Sequence, residues 1–247
     1  MRWERRPVHW SDPAFRQLFD GLGGHPSAER AEEEAIGLRR LLQLDPGARV
    51  LDAGCGYGRH ARAIGGAGIR ATAIDAAPEY AREATAASVS VAIADLTALP
   101  FLSGIFDALF ALRFPADLLA PGLVTRVLAE FARVVRPGGH VLVSTPNARE
   151  IGQPRTWRRE GGTFVLNEKM FDDARSIYRE VEYHIDPQEG VVREWVQETR
   201  RYSIEEWRAL VGDAGLSLLN AYGGLDARAP ESSPELVIVA TRPPSPS

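Results

Sequence analysis

The stretch Val50-Leu51-Asp52-Ala53-Gly54-Cys55-Gly56-Tyr57-Gly58-Arg59-His60-Ala61 constrains this chain most, because it reads as a buried strand, a glycine turn and the first turn of a helix. Glycines admit a ligand to the backbone where a Cβ would collide, and the helix that follows presents unpaired N–H groups at its start. That arrangement suits a nucleotide cofactor. Gly56 to Ala61 also fits G-x-G-x-x-A with Asp75 further on, so a dinucleotide is one candidate ligand.

Asp52 argues against the dinucleotide. A carboxylate two residues before Gly54 would face a doubly anionic pyrophosphate. At ~7 Å and an effective dielectric of ~20 the repulsion is roughly 2 kcal/mol per charge pair. The same carboxylate suits a ligand bearing an ammonium and a sulfonium. Two further acids follow. Arg70 to Asp75 is a short apolar run that places a carboxylate at a strand's C-terminal edge, where open α/β sheets bind ligands and where it can accept both hydroxyls of a ribose. Val89 to Asp95 repeats the device, and there the carboxylate can accept from an adenine amino group while Leu96 packs on the ring.

With these residues the chain resembles the class I, Rossmann-like S-adenosylmethionine-dependent methyltransferases, over Glu29 to Arg242. The resemblance implies an enzyme with S-adenosyl-L-methionine as cofactor and no metal. It places Asp52, Gly54, Cys55, Gly56 and Gly58 around the methionine part, Asp75 and Ala76 at the ribose, and Asp95 and Leu96 at the adenine. Phe106 to Ala111 resembles the fourth strand of that family, with Ala111 and Leu112 at its exit beside the transferable methyl. Arg136 to Ser144 resembles the turn and fifth strand, after a helix from Ala120 to Val135.

The implied fold is α/β: a mostly parallel, doubly wound sheet of seven strands with an antiparallel last strand, an N-terminal helical flap and an inserted antiparallel β layer. The divisions are a flap at 1–45, a cofactor-binding core at 46–148, the inserted layer at 149–202, the rest of the core at 203–242 and a loose tail at 243–247. In the flap, Ile36, Leu38, Leu41, Leu42 and Leu44 suggest a helix with one buried face, and Arg30 is a candidate partner for the methionine carboxylate. Upstream, His9, Trp10 and Phe15 could form an aromatic lid. Thr163–Phe171, Ile177–Ile185 and Val191–Tyr202 read as three consecutive strands. This layer resembles the substrate lids of small-molecule N- and O-methyltransferases. Ser203 and Glu206 stand at capping-box spacing at the start of a helix running to Ala214.

At 247 residues and 45% hydrophobic, the chain can bury one good-sized core. A single cysteine and no apolar run of ~18 residues point to the cytoplasm and exclude a helical membrane span. A net charge of −4 gives no general attraction to nucleic acid.

Methyl transfer from a sulfonium is an in-line displacement in which the protein aligns and desolvates, so the expected substrate is a small molecule with an N or O nucleophile. His184 and Tyr178 are the candidate catalytic residues, provided that their face of the middle strand turns inward, which periodicity alone leaves open. A non-catalytic S-adenosylmethionine-binding module and a nicotinamide-dependent oxidoreductase are the alternatives. Exposed strand edges in the inserted layer make a homodimer possible.

Overall fold

The computed structural model describes residues 2–7, 28–86, 89–114, 116, 121–147 and 154–244. His9, Trp10, Phe15 and the last three residues of the expected tail lie outside them. In chain order the elements are β1 (Arg2–Pro7), α1 (Ala28–Leu41), β2 (Arg49–Ala53), α2 (Arg59–Gly65), β3 (Arg70–Asp75), α3 (Pro78–Ala86), β4 (Val91–Ile93), β5 (Phe106–Ala111) and α4 (Pro121–Val134). They continue with β6 (Val135–Pro146), β7 (Arg155–Glu160), β8 (Thr163–Asp172), β9 (Ile177–Asp186), β10 (Val191–Arg200), α5 (Ile204–Asp213), β11 (Ser217–Tyr222) and β12 (Glu235–Thr241). The chain divides into two compact units: Pro26–Asn147 with Ser203–Ser247, and Met1–His25 with Ala148–Tyr202.

The larger unit is built on a seven-stranded sheet of order β11-β12-β6-β5-β2-β3-β4. β4, β3, β2, β5 and β6 run parallel, while β12 is antiparallel to β6. This is the expected fold class. Val50, Leu51, Leu109, Phe110, Leu142 and Val143 are buried in continuous runs, as strands covered on both faces require. Parallel strands bring their C-terminal ends to one edge, so Asp52, Asp75 and Ala111 gather there. Because β12 runs the other way, its first residue, Glu235, lies opposite Pro146 at that same edge.

The helix expected in the first 45 residues is α1. Its buried stripe is Ala31, Ala35 and Leu38, at helical spacing, and Leu42 and Leu44 are buried just beyond its end. Ile36 departs from the expectation: it lies off that stripe and is 67% exposed. α5 begins as expected, with both bonds of the capping box between Ser203 and Glu206 present.

The smaller unit is a five-stranded sheet of order β1-β10-β9-β8-β7. Two of its strands were not anticipated. Arg2–Pro7 is extended rather than helical, and it pairs in parallel with β10 from Arg2↔Val191 to Pro7↔Val196. β7, Arg-Thr-Trp-Arg-Arg-Glu, is an edge strand with little burial on either face, so it lacks the apolar alternation that marks a strand. The other three run antiparallel as expected. Among the described residues, no helix is long and apolar enough to cross a membrane.

Candidate functional site

The site is assembled where β2 gives way to α2. Gly54, Gly56 and Gly58 all adopt left-handed backbone, with φ of 79°, 53° and 72°. Their surroundings differ. A Cβ on Gly58 would come within 2.9 Å of the Ala84 side chain, so this glycine allows the loop to pack on α3. A Cβ on Gly54 or Gly56 would meet no protein atom within 4 Å. The space beside those two belongs to whatever approaches the loop. Gly58 is the N-cap of α2 and offers no side chain to the helix's opening N–H groups.

Asp52 is 2% exposed. Its carboxylate accepts the backbone N–H of Ala61, but Oδ2 is buried with no hydrogen-bond partner. Burial, reinforced by nearby Asp75, pushes its pKa up to about 7. A buried carboxylate oxygen without a donor is costly unless a cation or donor arrives.

Asp75 is tied to the same loop. Its Oδ2 accepts from the Gly56 N–H at 2.8 Å and its Oδ1 from the Ala77 N–H at 2.9 Å. The second bond closes a local turn rather than capping α3, whose first residue is Pro78. Burial raises the Asp75 pKa, against those backbone bonds. Ala76 is exposed beside it. Asp95 is exposed, and its Oδ1 takes both the N–H and the hydroxyl of Thr97, at 2.7 and 2.8 Å. Those bonds lower its pKa. Leu96 is half-buried next to it, Ala111 is buried, and Leu112 is half-buried against the core. The thiol of Cys55 is buried and pushed far up by burial and the two neighbouring aspartates, which makes it a packing group rather than a nucleophile.

A charged cluster that no local sequence pattern announces lies beside this loop. Glu34 of α1 receives Arg59 Nη1 at 2.6 Å, His60 Nε2 at 2.7 Å and Arg30 Nε at 3.1 Å. Burial opposes ionisation of Glu34, but the bonds from His60 and Arg59 outweigh it and hold the pKa at about 2. Burial lowers the pKa of His60, so the hydrogen shared with the ionised Glu34 resides on the neutral imidazole's Nε2. Arg30, the candidate for a methionine carboxylate, is exposed and pairs with Glu34 one helical turn on. Beyond β5, Arg113 sits at φ 53° with its N–H on Ser144 Oγ at 2.9 Å, and Ser144 also bonds the half-buried Glu235. Arg30 and Glu34 stand at ion-pair spacing in the sequence, but nothing local links Glu34 to Arg59 or Ser144 to Glu235.

His184 and Tyr178 belong to the smaller unit. Their face of β9 is not solvated: Glu182 is 3% exposed and Tyr178 6%. His184 Nε2 lies 2.5 Å from Glu182 Oε1, and the Tyr178 hydroxyl donates to Glu180 Oε2 at 3.3 Å. Burial pushes the phenol's pKa well up.

Comparison with known proteins fits this geometry. A family profile described as a methyltransferase domain matches residues 50–139. A malonyl-[acyl-carrier protein] O-methyltransferase of Salmonella typhimurium is 33% identical over 178 residues, 67% of this chain and 67% of that enzyme. The corresponding Serratia marcescens enzyme is 34% identical over 166 residues, 62% of this chain and 61% of the relative, so the match spans somewhat less than two thirds of its length. An amino pentose methyltransferase from Micromonospora echinaspora, solved with S-adenosylmethionine bound, superposes with a TM-score of 0.62 at 21% identity, covering 95% of this chain and 99% of that one. The chain belongs to the methyltransferases, and its Rossmann-like fold is the one that the amino pentose enzyme has with S-adenosylmethionine bound. The residues present suit that group: a cation is what the orphaned Asp52 oxygen lacks, and the open side of Gly54 and Gly56 admits a ligand to the backbone.

Proposed function

We propose that the protein transfers a methyl group from S-adenosylmethionine to an N or O nucleophile of a small molecule in the cytoplasm. The observation that carries this reading is the buried, donor-less Oδ2 of Asp52 beside a glycine loop with open space on its ligand side. Asp52 and the loop would hold the methionine portion, Asp75 the ribose, and Asp95 with Leu96 the adenine. The cofactor supplies an electrophilic methyl on a sulfonium. With that methyl supplied, the chain would need only to hold the acceptor's lone pair in line with it and to let the acceptor's proton leave to solvent or a base.

The chain's own contribution is alignment and exclusion of water. Asp75 holds the Gly56 N–H, so the acid proposed for the ribose also sets the loop conformation. His184, oriented by Glu182, remains the candidate for proton acceptance, while the Tyr178 phenol, held protonated, can act only as a hydrogen-bond donor. The relatives' names offer an acyl-carrier-bound carboxylate and an amino sugar as acceptor types. A homodimer is part of the same reading, since among the described residues β1 and β7 are the outermost strands of the five-stranded sheet.

The test is calorimetric titration with S-adenosylmethionine and with a nicotinamide dinucleotide, followed by single-turnover transfer to amine, phenol and carboxylate acceptors. Tight binding of the former with methylated product is the expected result. Binding without transfer to any acceptor would leave only a cofactor-binding module, and preference for the dinucleotide would defeat the reading altogether.

A further inference from the structure

One face of the five-stranded sheet carries an apolar surface that the site does not use. Register places Trp3, the buried Val192, Ile185, Phe164 and Arg159 side by side across all five strands, with Glu194, Tyr183, Leu166 and Trp157 in the next row. Trp3 reaches over β10 to meet the Tyr183 ring edge-on, with centroids 6.2 Å apart. Trp157 is 72% exposed, Trp3 63%, Met170 54% and Leu166 38%. Half of the large apolar side chains exposed among the described residues therefore share this one face. Scattered exposed apolar groups are ordinary on a protein surface, whereas a contiguous aromatic stripe marks a contact surface.

We propose that this face pairs with the same face of a second copy of the chain. Its charges favour that occupant. Among its described side chains, Arg155, Arg159, Arg179 and Arg200 are matched by Glu168, Glu194, Glu198 and Asp172. Several are already committed locally: Arg155 to Glu168 at 3.0 Å, Arg179 to Glu198 at 3.5 Å, and Arg159 over the Phe164 ring at 5.5 Å. A balanced face exerts no pull on a phosphate surface or a strongly charged partner, and its two signs let a two-fold-related copy meet opposite charges. The area is also adequate. Five strands ~4.8 Å apart and about six to ten residues long give a face of roughly 500–800 Å², close to the ~800 Å² per partner of a standard interface. The stacked sheets would enclose the aromatic stripe at one end of the face, with Glu194 within it and the paired charges of Arg155, Glu168, Arg179 and Glu198 towards the other end.

This rests on the homodimer proposed above and assigns it to the sheet's face instead of its open edges. Sedimentation of the full chain tests it with the double variant Trp157→Glu/Leu166→Glu, and with Leu102→Glu as a control in the larger unit, where Leu102 is 78% exposed. The wild type and the control should sediment as dimers. The double variant should dimerise about a thousandfold more weakly, because two-fold symmetry removes each contact twice. Its circular dichroism and S-adenosylmethionine affinity should match the wild type. A double variant as dimeric as the wild type would overturn the face assignment and leave the edges as the interface. A monomeric wild type would overturn both, whether or not it binds anionic lipid vesicles.

Discussion

Asp52 and Asp95 look alike in sequence, each closing a short apolar strand, yet the structure puts them in opposite states. Asp52 is buried with an oxygen lacking any donor, and its pKa rises to about 7. Asp95 is exposed, satisfied by Thr97, and its pKa falls. The first stores a desolvation cost that a cationic ligand would relieve. The second is a finished turn that a ligand can use at its margin. Affinity for the cofactor should therefore concentrate at the end of β2 and thin out towards β4.

The largest expected effect is at Gly56. Gly56→Val should weaken S-adenosylmethionine binding by at least about a hundredfold, since its side chain would occupy the open ligand side of the loop. The left-handed φ adds a folding cost of ~1–3 kcal/mol for a β-branched residue, so the variant should melt lower but still cooperatively. Normal binding by calorimetry would mean that the loop is a plain turn.

Asp52→Asn comes next, and its signature lies in pH. The folded carboxyl, at about 7, holds its proton over a range where the unfolded one has ionised. Stability of the cofactor-free wild type should thus be greatest below about pH 4 with respect to this group and fall by roughly 4 kcal/mol as pH rises to about 7. Urea denaturation across that window should show a fall larger by about 4 kcal/mol in the wild type than in Asp52→Asn, which keeps the smaller contribution of the raised Asp75. The variant should also bind cofactor more weakly, by roughly 2–4 kcal/mol. A flat wild-type profile would remove the proposed strain at Asp52.

Asp75→Ala should cost roughly 2–4 kcal/mol in cofactor affinity through the lost ribose bonds, and should release the Gly56 N–H as well. Amide hydrogen exchange would report that release. The smallest effect is expected of Asp95→Ala, about 1 kcal/mol, because an exposed acid competes with water for the adenine amino group. If calorimetry gave Asp95→Ala a loss equal to that of Asp75→Ala, the graded picture would fail.

The glycine loop, the three acids, the capping box and the alternation of strands with helices could be read directly, because each is a local pattern with a local cause. What escaped was non-local. Glu34 looks like one acid among four on a polar helix, and only the fold brings Arg59 and His60 onto it. β7 has no buried face to impose an alternation, and Arg2–Pro7 has a partner only through β10. Ile36 misled for the reverse reason: it has the right chemistry for a buried stripe but the wrong angular position.

The pairing of β1 with β10 also bears on how the chain comes to be folded. Arg2 has no neighbour until Val191 has been made. At about 5–20 residues per second of synthesis, the first strand waits roughly 10–40 s beside a growing polypeptide. Helix–strand units of the larger sheet can form from nearby segments during that interval, whereas the smaller sheet acquires its outermost strand by closing a loop about three quarters as long as the 247-residue sequence. High contact order of this kind slows folding, and it makes the aromatic Trp3 segment the last part of that sheet to be sheltered.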